Sequence, residues 1–187
     1  MAISLNKGGN VSLSKSDPGL KKISVGLGWD VRETEGAAFD LDASVFLTGE
    51  TSKVRSDNDF IFYNNLRSSD GSVEHTGDNL TGEGDGDDEQ IIVDLSKVPA
   101  NVATLVFVVN SFTGQNFSQI ENAYCRVVNA TNDQEIARYN LSAQGAHNAQ
   151  VMAKIYRHDG EWKMHALGEI ASGRTFQDLM PTMRASL

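Results

Sequence analysis

The side chains best equipped for chemistry in this chain are carboxylates, and they are concentrated in one stretch. Between Ser68 and Ser96 lie nine acids (Asp70, Glu74, Asp78, Glu83, Asp85, Asp87, Asp88, Glu89, Asp94) and no Lys or Arg. The whole chain of 187 residues holds 25 acids and 16 bases, a net charge of −9. Outside the stretch 16 acids face 16 bases, so the stretch accounts for all of the net charge. At its centre, Thr76 to Glu89, four Gly-acid pairs follow one another: Gly77-Asp78, Gly82-Glu83, Gly84-Asp85 and Gly86-Asp87. Packed carboxylates repel each other unless a cation sits among them. Glycine lets a backbone turn tightly around an ion. The chemistry implied is coordination of a hard divalent cation, calcium first, since calcium accepts about 6–8 oxygen ligands of mixed kind. Magnesium fits less well because it retains several waters. Zinc fits poorly: Cys125 is alone, and His75, His147, His158 and His165 lack ligand spacing. The stretch is not an EF-hand. A loop started at Asp78 puts Glu89 at the twelfth position, but Leu80 takes the third and Glu83 the sixth, where Gly is required.

More acids lie about 40 residues upstream, and their spacing is informative. Asp40 and Asp42 alternate with Phe39, Leu41 and Ala43. On a strand they share one face, with Cβ atoms roughly 6–7 Å apart, close enough to hold one ion or to flank two. Charges inside a strand are disfavoured unless exposed or paired, which argues against the plain alternative of a solvated acidic loop. Asp30 ends the preceding apolar alternation. If segments 22–29 and 38–47 form a hairpin, Asp30 lies at its loop end, where the acidic stretch could close over all three. Asn64, Asn65 and Asn79 offer amide oxygens nearby.

The elements that must position these groups are strands. Ile23, Val25, Leu27 and Trp29 alternate with Ser24, Gly26 and Gly28, as do Phe39, Leu41, Ala43, Val45 and Leu47 with polar partners. Residues 103–109 form a continuous, β-branched apolar run that suits a central strand covered on both faces. Further strands are expected at 2–5, 11–13, 59–63, 90–95, 123–129, 134–141, 151–158 and 161–167. Turn signals separate them, and His158-Asp-Gly marks a hairpin. Helix is expected only as a turn near Phe117–Asn122 and at Thr175–Arg184, which Pro181 is expected to interrupt. The pattern predicts an all-β fold, an antiparallel β-sandwich with short helical segments, in one domain spanning 1–187. Residues 171–187 form an atypical tail.

Several functions are excluded or disfavoured. No apolar run approaches the roughly 20 residues of a membrane span. The N-terminus has no signal-peptide layout, so a cytoplasmic location is expected, in keeping with a single cysteine. With no basic patch and an acidic balance, nucleic acid is not an expected partner. Gly26-Leu-Gly-Trp-Asp-Val31 lacks the third glycine of a dinucleotide fingerprint, and no phosphate-binding loop is present. A glycosidase pair would need one raised and one ionised carboxyl, which this crowd of acids does not single out. Cys125, within Ala-Tyr-Cys-Arg-Val-Val, reads as a buried structural thiol. Trp29 and Trp162 read as core or hairpin residues.

Longer matches carry a family resemblance. Gly-Leu-Gly-Trp29-Asp30, Phe39-Asp-Leu-Asp42-Ala-Ser, Asp59-Phe-Ile-Phe-Tyr-Asn64-Asn65-Leu, the run from Asp70 to Glu89, and Gln115-Asn-Phe-Ser-Gln-Ile-Glu-Asn-Ala123 resemble the TerD family of tellurium-resistance and stress proteins. The resemblance runs from about residue 2 to about 170, with order and spacing preserved. It implies a compact β-sandwich binding two calcium ions through aspartate-rich loops. It also implies a part in bacterial resistance to tellurite and other chemical stress and in phage defence, with no enzymatic reaction. Position by position, the implied ligands are Asp30, Asp40, Asp42, Asp78, Glu83, Asp87, Asp88 and Glu89, with Asn65, Asn79 and Asp85 as second choices. The implied partners are proteins, other tellurium-resistance proteins among the candidates. Two further readings compete. A calcium-dependent membrane-docking module would need apolar loop tips, for which Leu80 is the only candidate in the acidic loop. A metal-dependent hydrolase would need a positioned nucleophile or His, and only His75 lies near.

Overall fold

Period-two alternation in this chain becomes two packed sheets. The computed structural model describes residues 2–30, 40–51, 53–54, 56–77, 86–140 and 145–187. In chain order the elements are β1 (Ile3–Ser4), β2 (Asn10–Ser12), α1 (Leu13–Ser16), β3 (Lys22–Asp30), β4 (Leu41–Thr48), β5 (Phe60–Ile61), β6 (Val73–His75), β7 (Glu89–Asp94), β8 (Thr104–Ser111), β9 (Glu121–Asn129), β10 (Gln134–Asn140), β11 (Ala149–His158), β12 (Glu161–Ala171) and α2 (Phe176–Ala185). The first sheet runs β1-β10-β9-β3-β7-β6 and the second β2-β12-β11-β8-β4-β5. The protein is an all-β sandwich. Among the described residues the strand pairs are antiparallel except β1–β10, where the opening segment joins the sheet edge in parallel.

The alternation decides which side chains meet. Ile23, Val25, Leu27 and Trp29 of β3 and Leu41, Ala43, Val45 and Leu47 of β4 enter one core between the sheets. Aligned sheet packing brings two such faces together at about 10 Å. The second sheet is also covered on its outer face. Phe46, Val106, Val108, Val151 and Leu167 pack there against Leu179 and Met183 of α2. The apolar run 103–109 is therefore the covered central strand β8, flanked by β11 and β4. Helix α2 continues through Pro181 rather than stopping there. A proline inside a helix removes one backbone bond and crowds the preceding turn. Full burial of Leu179 and Met183 on either side holds the helix to the sheet despite that loss. Thr175 and Asp178 close its start with a capping box.

The hairpin expected between segments 22–29 and 38–47 does not form. β3 pairs with β7 and β9, whereas β4 pairs with β5 and β8 in the opposite sheet. Each of the two segments has one strongly apolar face, and facing each other across the core buries both more completely than lying side by side. The hairpin at His158–Glu161 does form, on a turn with Asp159 and Gly160 at φ of 52° and 75°, as a two-residue turn matched to strand twist requires. Residues Phe117–Gln119 make the expected short helical turn.

Strand register sets the geometry of the site. Asp30 pairs with Glu121, Leu27 with Glu89, Leu41 with Ser111, Ala149 with Asn110, and Tyr124 with Asn140. The end of β3 and the starts of β4 and β7 thus lie at one pole of the sandwich. Asp30, Asp40, Gly77 and Gly86, the described residues that border 31–39 and 78–85, stand at this pole.

Candidate functional site

The start of β4 is the best-defined part of the pole. Asp42 opposes Asn110 of β8 in register, and Asn110 Nδ2 donates to Asp42 Oδ2 at 3.3 Å. Phe112 N–H donates to the Asp40 carbonyl at 3.0 Å, which extends the β4–β8 ladder by one residue. Asp40 and Asp42 therefore share one face, as the alternation required, and it is the outer face of the second sheet, shared with Phe46. Both side chains are buried, at 8% and 5% exposure. Removing two neighbouring carboxylates from water costs several kcal/mol unless hydrogen bonds or opposite charge compensate. Asn110 supplies one such bond, and a cavity of about 270 Å³ opens beside Asp42.

The three consecutive acids at the start of β7 are placed quite differently, each against a separate element. Asp87 lies on the outer face of the first sheet. It accepts from Arg126 Nε at 2.7 Å and from the Tyr124 hydroxyl at 3.1 Å, and its side chain is 3% exposed. It rests on the bare backbone of Gly26, where a Cβ atom would come within 2.1 Å of its carboxylate. Asp88 Oδ2 accepts from Trp29 N–H at 2.9 Å, while Asp88 N–H donates to the Leu27 carbonyl at 2.8 Å. Glu89 turns into the core and accepts from Ala43 N–H at 2.7 Å, which ties β7 to β4 across the two sheets. One acid thus grips β9, the next β3 and the third β4.

His75 belongs to the same bridge. Its Nδ1 accepts from Gly77 N–H at 3.2 Å, which assigns the ring proton to Nε2, 3.2 Å from the Ala43 carbonyl and 3.5 Å from Glu89 Oε2. At 2% exposure it is a buried strut between β6 and β4 and has no access to a substrate. Cys125 is buried too, and desolvation, reinforced by the Asp87 carboxylate, pushes its thiol up to about 12. It is the structural thiol expected from its strand context. Trp29 is in the core, and Trp162 packs partly buried beneath Arg157 on the last hairpin.

Of the sequence-predicted ligands, the described structure brings Asp40 and Asp42 together. Asp88 and Glu89 stand at the same pole on the first sheet, and Asp87 points to the opposite outer face. Asp30 closes β3 there, but its side chain lies outside what the structure describes. Asp78, Asn79, Glu83 and Asp85 lie outside the described residues altogether. Asn65 uses its amide to hold a turn, Nδ2 donating to the Phe60 carbonyl at 2.6 Å. The neighbouring Asn64 lines the Asp42 cavity instead. Among the described residues no three His, Cys, Asp or Glu side chains converge as a metal-holding group. The polar groups lining the cavity beside Asp42 include the amides of Asn64 and Asn110, hard oxygen donors of the kind that suit calcium and not zinc, together with the guanidinium of Arg174.

Arg126, Asn110 and the structural use of His75 were not picked out by sequence reading. Arg126 left a trace, a single base inside the otherwise apolar run 123–128. Asn110 left none, because an amide at a strand end is an ordinary residue there. Among the described residues no helix is long and apolar enough to cross a membrane.

The TerD domain family matches residues 1–181 of the chain. The chain is 53% identical over 178 residues to the tellurium resistance protein TerD of Serratia marcescens, covering 92% of this chain and 93% of that one. It is 49% identical over 174 residues to general stress protein 16U of Bacillus subtilis, with 90% of each covered. A crystal structure of a homologue of telluride resistance protein (TerD) from Streptomyces coelicolor superposes with a TM-score of 0.72 at 18% identity, covering 88% of this chain and 96% of that one. The same sandwich thus recurs where little sequence is shared. Matched over nearly its full length by the family and by relatives about half identical to it, the chain belongs to the TerD family of tellurium-resistance and stress-response proteins.

Proposed function

We propose that the acid-rich pole is a calcium-binding centre for two ions, and that the calcium-loaded pole docks a protein partner in a chemical-stress response without catalysing a reaction. The observation that carries this reading is the pair Asp40 and Asp42, two buried carboxylates on one strand face at the pole where the acidic stretch re-enters the sandwich. Asp40 and Asp42 are the first ligands, with Asn64 and Asn110 as amide neighbours. Asp30, Asp78, Glu83 and Asp88, with Asn79 and Asp85 behind them, are assigned to the half supplied by the first sheet and the acidic stretch. Asp87 and Glu89 act chiefly as anchors, because Arg126 and Ala43 N–H already hold them. Bound calcium would supply the positive charge that these clustered carboxylates call for. The relatives named for tellurium resistance and general stress support the biological setting.

The test is calorimetric titration of Asp40→Asn and Asp42→Asn. Each should bind calcium at least tenfold more weakly. In chelator each should be as stable as the wild type or slightly more so, since removing a carboxylate relieves repulsion. Wild-type calcium affinity in both variants would refute the ligand assignment.

A further inference from the structure

Gln150 is polar where the sandwich calls for an apolar side chain. Its neighbours Ala149 and Val151 pack on the outer face of the second sheet with Leu179 and Met183 of α2. Strand alternation therefore turns Gln150 inward, between the sheets. There it is 0% exposed. Two more polar tips are buried with it, Tyr139 of β10 and His147 just before β11. Tyr139 belongs to the core between the sheets, and its hydroxyl ends over the bare backbone of Gly168 in β12, where a Cβ atom would collide with it. The His147 ring stands edge-on to Phe117 at 5.1 Å.

The three groups are neighbours. Burial pushes the Tyr139 hydroxyl up and the His147 ring down, and the Gln150 amide pulls each of them back, so the amide is close to both. Yet the Tyr139 hydroxyl, His147 Nε2 and both amide atoms of Gln150 have no hydrogen-bond partner among the described residues. A polar atom buried bare forfeits its bonds to water. Four such atoms together would offset much of a domain's stability. A position that needed packing alone is filled by Leu, Met or Phe. Enclosed polar groups of this kind are met by internal water, which makes about three hydrogen bonds to groups that otherwise go unpaired. Water suits this set because a hydroxyl, an amide and an imidazole nitrogen can each donate to it or accept from it. With His147 held below its ordinary 6.5, none of the three is charged near neutral pH, so a neutral ligand fits better than an ion.

We propose that Tyr139, Gln150 and His147 form an internal water site, with water bonded to the Tyr139 hydroxyl, the Gln150 amide and His147 Nε2. The inference goes beyond the calcium reading and does not rest on it, since none of the three is an expected metal ligand. The site has a structural consequence. The His147 carbonyl accepts from Phe117 N–H at 2.8 Å, and the Asn148 carbonyl accepts from Ser111 N–H at 2.7 Å. Asn148 Oδ1 accepts from Gly173 N–H at 3.2 Å. The segment before β11 thus holds the short helical turn, the end of β8 and the lead into α2. Internal water joins that segment to β10 of the opposite sheet.

Two measurements on the full chain test this. A crystal structure that resolves ordered solvent should show water within hydrogen-bond distance, about 2.5–3.2 Å, of the Tyr139 hydroxyl, the Gln150 amide and His147 Nε2. Urea unfolding of Tyr139→Phe should give a lower midpoint than the wild type, because the change strips the water of a partner. A hydroxyl left bare in the core gives the opposite sign, since its removal relieves an unpaired group. Gln150→Leu should lower the midpoint further. The wild-type crystal structure needs no variant, so the proposal stays testable even if Gln150→Leu fails to fold. Direct hydrogen bonds from the Gln150 amide to Tyr139 and His147 with no water between them overturn the proposal, as does a raised or unchanged midpoint for Tyr139→Phe. Calcium binding without this water removes this proposal alone, and the water without calcium binding removes the calcium reading alone.

Discussion

Asp87, Asp88 and Glu89 divide their work among three elements. Composition alone marked them as a charge cluster, but the structure uses them as three grips, on Arg126, on Trp29 N–H and on Ala43 N–H. A carboxylate that accepts from a backbone N–H has no spacing signature in sequence, because its partner is any residue the fold brings there. That is why the identity of the acids was legible and their division of labour was not. Two predictions belong at this scale. Gly26→Ala places a Cβ within 2.1 Å of the Asp87 carboxylate and must displace it from Arg126. Overpacking of this kind costs about 1–3 kcal/mol, measurable as a lower urea midpoint, and an unchanged midpoint would mean that Asp87 does not rest on Gly26. Cys125, with its thiol pushed up to about 12 by burial, should resist alkylation by iodoacetamide at pH 8 in the native protein. Labelling at the rate of a free thiol would contradict its burial.

At the scale of elements, alternation was the readable signal. β3, β4 and β8 fall close to their expected positions because apolar and polar residues alternate, or run together, over seven or more residues. β6 escaped notice because three residues, Val73-Glu-His75, are too few to display a period, and two of them are polar or charged. Which sheet each strand joins was not legible either. An apolar face records that a strand is half-buried, not which neighbour it bonds to, and so β3 and β4 could be taken for a hairpin. Helix α2 is a matter of packing over propensity. Leu179→Ala should cost about 2–5 kcal/mol, since it empties a fully buried position against the outer face of the second sheet. A loss below 1 kcal/mol would mean the helix is not seated there. The segment before β11 carries a pH effect. Burial holds His147 below its ordinary 6.5. As pH falls below about 6.5 the unfolded chain takes the proton before the folded one, so this residue contributes stability above that pH that is lost below it. Urea midpoints at pH 7.5 and 5.5 in chelator should fall more for the wild type than for His147→Gln. Equal falls would exclude the effect.

At the scale of the whole molecule, charge and fold meet at one pole. The net charge of −9 arises in a stretch that re-enters the sandwich at β7, beside the ends of β3 and β4. The sequence showed two acidic groups 40 residues apart that belong together. The structure places the described members at one pole but on two sheets, Asp40 and Asp42 on the outer face of the second and Asp88 at the start of β7 against β3 in the first. In the proposed two-ion centre each sheet would contribute its own set of ligands. Ligand linkage gives the expected size of the effect. At free calcium 100-fold above Kd, binding to the folded state alone adds about 2.7 kcal/mol. For a chain of this length that corresponds to a rise in Tm of about 5–11 °C.

The most direct measurement is isothermal titration of the chelated, dialysed wild-type protein with calcium, repeated with magnesium. Saturable binding of two calcium ions per chain, with magnesium markedly weaker, is the predicted result. No heat of calcium binding, together with an unchanged Tm on adding calcium, would contradict a calcium centre at this pole.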